Sequence, residues 1–274
     1  MMYLLKIEWL KIKNYKAFLF ISLFFLIGIF ATNYIVYSVF HNIVNKSDAA
    51  LLLSNFNPYD FEHVWQTVSY ASGYLLMLPS LLLIILVTNE YTFRTSRQNI
   101  IDGSSREEYA NVKMMMALIV AGTSTLFVVL CALVFAYSSG KDFSITGFSH
   151  VGYFFLKALS YNIIAIFIST LIKRTGFAIG IFFIYMGAEN IIAQFLDVLS
   201  MKLKSSKNID FGSLGDYLPM NSSDGLLSFP PTPLKSFTTN SLPTEYTWIV
   251  LGFAIFYLLL FSWLVRRLII KKDL

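Results

Sequence analysis

The chain has 274 residues, of which 56% are hydrophobic, 17% aromatic and only 14% charged, where a soluble domain carries about 25% charged residues. With a mean hydropathy of +0.64, this composition excludes an ordinary soluble domain and points to an integral membrane protein; the formal net charge of +5 matters through its distribution. One cysteine, Cys131, excludes an intramolecular disulfide framework and a cysteine-based metal cluster. It reads as a small buried hydrophobe, and the scattered His41, His63 and His150 predict no metal site.

The opening "MMYLLKIEWLKIKNYK" is too long and polar for a signal-peptide start, and the apolar run after it has span length. Leu5, Trp9 and Ile12 recur at helical spacing, with Lys6, Lys13 and Lys16 largely on other faces. This predicts an amphipathic interfacial helix with Trp9 at headgroup depth; the alternative is a basic flank that only orients the first span. Six stretches then have the roughly 20 apolar residues that cross a bilayer: 17–40, 67–88, 114–137, 149–172, 177–200 and 247–265. Placing the amino terminus in the cytoplasm puts fourteen Lys and Arg on inner segments and six on outer ones. The positive-inside rule therefore predicts that both termini are cytoplasmic. The expected fold is one all-α transmembrane domain over 1–274, without a solenoid or inverted repeat.

The second span contains Pro79, which predicts a kink, either a hinge or a packing bend. After it comes "NEYTFRTSRQNIIDGSSREEYANVK" (89–113), a polar stretch between adjacent spans. Residues 91–101 suit a short helix, Asp102-Gly103 a stop with Gly103 left-handed. Ser104 with Glu107, or Ser105 with Glu108, fits a capping box opening a helix that continues into the third span. An isolated helix this short is marginal in water, so the elbow needs something to pack against. Phe93, Ile100, Ile101 and Tyr109 offer apolar contacts; Arg94, Arg97, Arg106, Glu107 and Glu108 offer charged ones. A cytoplasmic partner and the lipid headgroups are the two candidates.

Further along, Lys157 lies about two turns into the fourth span and is expected to snorkel outward. Glu189 and Asn190 fall mid-span in the fifth, where a carboxylate costs about 2.5–3.5 kcal/mol unless paired or protonated. Three readings stand: a group lining a pathway or gate, a structural hydrogen bond to a neighbouring helix involving Asn162, or a helix break near Gly187 that exposes Glu189 to water. Asp197 is expected to be solvated. The external segment 201–246 reads either as an exposed loop or as short helices dipping toward the membrane. Asn221–Ser223 matches a short glycosylation pattern.

The basic amphipathic start, six spans, the elbow after the second span and the long segment before the sixth together resemble the ABC-2 type transporter permeases. The loop "EYTFRTSRQNIIDGSSREEYANVK" is similar to that family's first cytoplasmic loop at Arg94, Gly103, Ser105, Arg106, Glu107 and Lys113. Architecture carries the resemblance along the whole chain; residues carry it only in this loop and loosely at the amino terminus. It implies a bacterial cytoplasmic (inner) membrane protein, multi-pass, serving as the permease subunit of an exporter. The elbow, with Phe93, Arg94, Arg97, Ile100, Ile101, Gly103, Arg106 and Glu107, would be a coupling helix seated in a separate ABC ATPase subunit. A second permease chain, identical or different, would complete the substrate path, lined mainly by spans one, two and five, with Glu189, Asn190 and Pro79 as pathway or gate candidates. The long external segment would form an outer gate. No G-x-x-x-x-G-K-[ST] phosphate loop occurs, so the chain is expected not to be an enzyme: ATP and magnesium would bind in the partner, and no nucleic acid is involved. The alternatives are an ATP-independent secondary transporter, or a non-transporting immunity or sensor protein on the same fold.

Overall fold

The computed structural model describes residues 2–13, 15–46, 56–139, 142–207, 211–231 and 246–271. Among them all regular structure is helical. Helix α1 is Met2–Lys13 and α2 is Lys16–Lys46. The second span is α3 (Val64–Gly73), a 3-10 turn at Tyr74–Leu76, and α4 (Met77–Thr92). Then follow α5 (Thr95–Ile101), α6 (Arg106–Ser138), α7 (Ser149–Ile172) and α8 (Thr175–Lys207). A 3-10 turn at Leu214–Tyr217, the short α9 (Asn221–Asp224) and α10 (Thr247–Lys271) complete the order. Six of these segments are long and apolar enough to cross a membrane, making this a multi-pass membrane protein.

The span between α6 and α8 is the centre of the bundle. In their most apolar windows, α7 is 67% buried and α3–α4 61%, whereas α2, α8 and α10 are only 17%, 22% and 17% buried. Small residues explain the close packing. Ala110, Ala117, Ala121, Ala132 and Ala136 recur along one face of α6 and are all buried, as are Ala158 and Ala165 of α7. Such residues let backbones approach where lipid supplies no hydrophobic drive. Interhelical hydrogen bonds tie the same surfaces: Asn162 donates to the Ala117 carbonyl at 3.1 Å and accepts from Ser80 at 3.2 Å. Asn33 of α2 donates to Ser72 at 3.1 Å. Cys131 is buried in this core.

Pro79 lies just past an irregularity in a span that is helical from Val64 to Thr92. The chain tightens into a 3-10 turn at Tyr74–Leu76, which contains Leu75, the residue whose carbonyl would have accepted the N–H that Pro79 lacks. The break near Gly187 is absent: α8 runs uninterrupted through it.

The segment after α8 is not an exposed loop. Residues 213–227 fold back onto the bundle, burying Met220, Leu226, Leu227, Ser222 and Ser223. Asp224 meets Lys157 at 3.2 Å and Tyr161 at 3.0 Å. Lys157 lies eight residues into α7, about 12 Å from its start at 1.5 Å per residue, so the segment reaches about two turns down the bundle. Asn221 is 9% exposed with Ser222 and Ser223 fully buried, which removes it as a glycosylation acceptor. The rest of the segment, 232–245, lies outside the described residues.

Candidate functional site: the elbow and the charge lock beneath it

Helix α4 ends at Thr92, and Arg94 turns the chain in the left-handed conformation (φ 57°), costing a non-glycine residue on the order of 1 kcal/mol. The short helix predicted over 91–101 is therefore split: its first residues belong to α4, and α5 begins at Thr95. Its far end is a Schellman stop. Gly103 has φ 102°, its N–H donates to the Ile100 carbonyl, and the Ser104 N–H reaches back to Asn99, both at 3.1 Å. The capping box forms at Ser105 with Glu108, not at Ser104 with Glu107. Ser105 Oγ accepts from the Glu108 N–H at 3.1 Å, and Glu108 accepts from the Ser105 N–H at 2.9 Å. The helix it opens is α6, continuous into the third span, as the sequence predicts.

The elbow projects from the bundle. Phe93 is 72% exposed and Ile101 77%; Arg94 and Arg97 are exposed and Ile100 is half-buried. Arg106 turns away from this tip and donates to the Ile270 carbonyl of α10 at 3.0 Å. Glu107 stands 3.8 Å from Arg266. These contacts place the carboxyl-terminal end of α10 beside the start of α6, at the same end of the bundle as α1.

Beneath the elbow lies a feature that sequence reasoning missed. Lys113, 1% exposed, donates to Glu90 of α4 at 2.7 Å and to Glu8 of α1 at 3.0 Å. Tyr109 donates to the other Glu90 oxygen at 2.6 Å, and Lys11 reaches Glu8 at 3.0 Å and Glu90 at 3.4 Å. Burial pushes the Glu8 carboxyl above its ordinary range against the pull of Lys113 and Lys11. The lock joins the amphipathic helix to both stems of the elbow. A buried charge needs a partner with good geometry, so the three helices hold one another in register. Lys113 was legible as part of the loop pattern and Glu90 as a loop charge. The helix through Lys113 was predicted; the missed signal was that the second span continues as helix through Glu90, which sets its carboxylate opposite Lys113 and turns a loop charge into a buried one.

On α1, Trp9 is 56% exposed while Ile12 is buried, and Lys6, Lys13 and Lys16 are exposed. This fits an amphipathic helix; the Leu5 side chain lies outside the described residues.

The remaining candidates sit toward the opposite end and are not gathered with the elbow. Glu189 is 5% exposed and caps α9: its Oε1 accepts from the Met220 N–H and from the Asn221 N–H, the latter at 2.9 Å. Its partner is thus the folded-back segment 213–227; Asn162 is engaged elsewhere. Asn190 is exposed and donates to the Met186 carbonyl of its own helix at 2.9 Å. Asp197 is not simply solvated. It accepts from Ser213 Oγ at 2.5 Å and the Gly215 N–H at 2.9 Å. Lys157 does not snorkel. It is 6% exposed, paired with Asp224, and stands 5.7 Å and 5.5 Å from the ring centres of Tyr74 and Tyr161. Compared with protein-family models and with curated proteins, the sequence matches none.

Proposed function

We propose that this chain is the membrane-spanning permease subunit of an ABC-2 type exporter, with both termini and the elbow in the cytoplasm of a bacterial cell. ATP is hydrolysed, with magnesium, by a separate subunit that grips the elbow. The observation that carries this reading is α5 itself. A seven-residue helix is too short to be stable alone, and while its Ser96 is buried, its end at Ile101 and the preceding turn at Phe93 are exposed. A partner surface with an apolar pocket and acidic groups for Arg94 and Arg97 satisfies it. Because α4 and α6 leave the elbow as continuous helices clamped through Lys113, a displacement of α5 moves two spans as rigid rods. The apolar faces of α2, α8 and α10 leave room for a second permease chain, where the substrate path lies.

The experiment is co-purification of this chain with a soluble ATPase. Arg97→Ala with Glu107→Ala, and separately Phe93→Asp with Ile101→Asp, abolish capture or ATPase stimulation while membrane insertion is retained. Undiminished capture and stimulation in both pairs contradict docking through the elbow.

A second reading, an ATP-independent secondary transporter, is favoured by one constellation. Lys157 sits beside the 3-10 turn of the second span at Tyr74, facing Asp224, and interrupted helices with charges mark binding sites in such proteins. Transport by reconstituted protein alone, driven by an ion gradient without any ATPase, selects this reading.

A further inference from the structure

The Lys157 side chain is 8% exposed, whereas that of Asp224, whose Oδ1 meets it at 3.2 Å, is 29% exposed. The lysine belongs to the centre of the bundle and the carboxylate to the connection 213–227 folded onto it. The spans build the rest of the pocket. The rings of Tyr161 on α7 and Tyr74 in the second span stand 5.5 Å and 5.7 Å from the Lys157 nitrogen, within cation–π range. Gly73 makes the room, since a Cβ there would come within 3.2 Å of that nitrogen. Tyr161, also buried, donates its hydroxyl to Asp224 Oδ2 at 3.0 Å. Lys157 and Tyr161 are four residues apart on one helix and so share a face. Together they grip the two oxygens of a single carboxylate. The pocket has an open side at Tyr74, which is 63% exposed and donates to the Tyr70 hydroxyl at 2.7 Å. From the connection, Leu227 packs over Gly73 and Phe229 edge-on against Tyr70 at 6.0 Å.

We propose that Lys157 and Tyr161 form a binding site for the carboxylate of a small organic acid, and that Asp224 occupies this site as a tethered stand-in. A buried ammonium requires an anion with good geometry. When the connection lifts, Asp224 leaves with it while Lys157 stays on α7, and a carboxylate from outside takes over the same two donors. The seated Asp224 carboxylate defines the ligand group directly. Charge sets its valence: among the described residues Lys157 is the one cation paired with Asp224. Glu189 and Asp216 both feel the charge at Asp224, so a second negative charge on the ligand is disfavoured. The site serves either transport reading and does not involve the elbow, so failure of ATPase capture leaves it standing.

The test is hydrogen exchange and thermal unfolding of the full chain in detergent, titrated with acetate or octanoate against chloride at matched ionic strength. In the wild type the acid speeds exchange over 211–228, because it displaces Asp224 and frees the connection. In Asp224→Asn the stand-in is gone, and the acid raises the unfolding temperature at a concentration at least about tenfold below that needed in the wild type. Lys157→Met abolishes the exchange response, and Lys157→Met with Asp224→Asn abolishes the thermal one. Tighter binding of octanoate assigns the carboxylate to a fatty acid drawn from the bilayer, and tighter binding of acetate to a soluble acid. If Asp224→Asn fails to fold, the exchange response of the wild type and its loss in Lys157→Met decide. Wild-type exchange over 211–228 unmoved by both acids, or a response that survives Lys157→Met, overturns the proposal and leaves Lys157 and Asp224 as a fixed structural pair.

Discussion

Both ends of the bundle bury charge, but they neutralise it with different parts of the chain. At the end carrying α1, Lys113 is met by Glu90 and Glu8, all on helices that the bundle fixes. At the opposite end, Lys157 and Glu189 are met by Asp224 and by the backbone of Met220 and Asn221, all in a connection that folds back from outside the helices. The first arrangement resists motion between spans. The second is released whenever the connection lifts. One end is thus built as a lock and the other as a clasp.

The largest effect is expected from breaking the lock. Lys113→Met leaves Glu90 and Glu8 buried with only Lys11 at hand, and loss of one partner of a buried pair costs about 3–5 kcal/mol. Thermal unfolding in detergent is expected to show this loss, and adding Glu90→Gln to recover part of it. At the clasp, Glu189→Leu leaves two buried N–H groups without their acceptor, about 1–3 kcal/mol each. The loss is expected to appear first as faster hydrogen exchange over 211–228, with exchange in α1 and α6 unchanged.

A smaller effect sharpens the contrast by pH. Asp216 is lifted to about 6 by burial, helped by the charge of Asp197, and its carboxyl packs where a Cβ on Gly225 would meet it at 2.7 Å. A raised carboxylate favours the neutral form in the folded clasp. Its stabilising contribution is therefore complete below the ordinary aspartate range and is lost as pH rises through about 6. Exchange over 211–228, measured relative to Asp216→Asn at each pH, is expected to be slower at pH 5 than at pH 7.5. The smallest effect is at Pro79. Pro79→Ala is expected to change stability by less than about 1 kcal/mol, because the 3-10 turn at Tyr74–Leu76 already accommodates the missing N–H.

The six spans were legible because apolar runs of membrane length have few other uses, and the elbow because its turn and cap are written in adjacent residues: Asp102-Gly103, then Ser105 and Glu108. Local signals of this kind need no knowledge of the fold. Glu189 and Lys157 were visible as buried-charge problems, but their solutions were not. The partners lie 31 and 67 residues away, in a segment whose short apolar patches read equally well as loop. Glu90 and Lys113 were hidden for the opposite reason. They sit inside a stretch that looks like a solvated connection, and although the helix through Lys113 was predicted, it is the continuation of α4 through Glu90 that draws the pair under cover.

The account depends most on the elbow facing the cytoplasm, and Ile101 is the position to probe. It is 77% exposed, while Cys131 is 6% exposed, so background labelling is low. An Ile101→Cys chain treated with a membrane-impermeant maleimide is expected to react in inverted membrane vesicles and to stay unreacted in intact cells. Reaction in intact cells would place the elbow outside, beyond the reach of any cytoplasmic ATPase, and contradict the account.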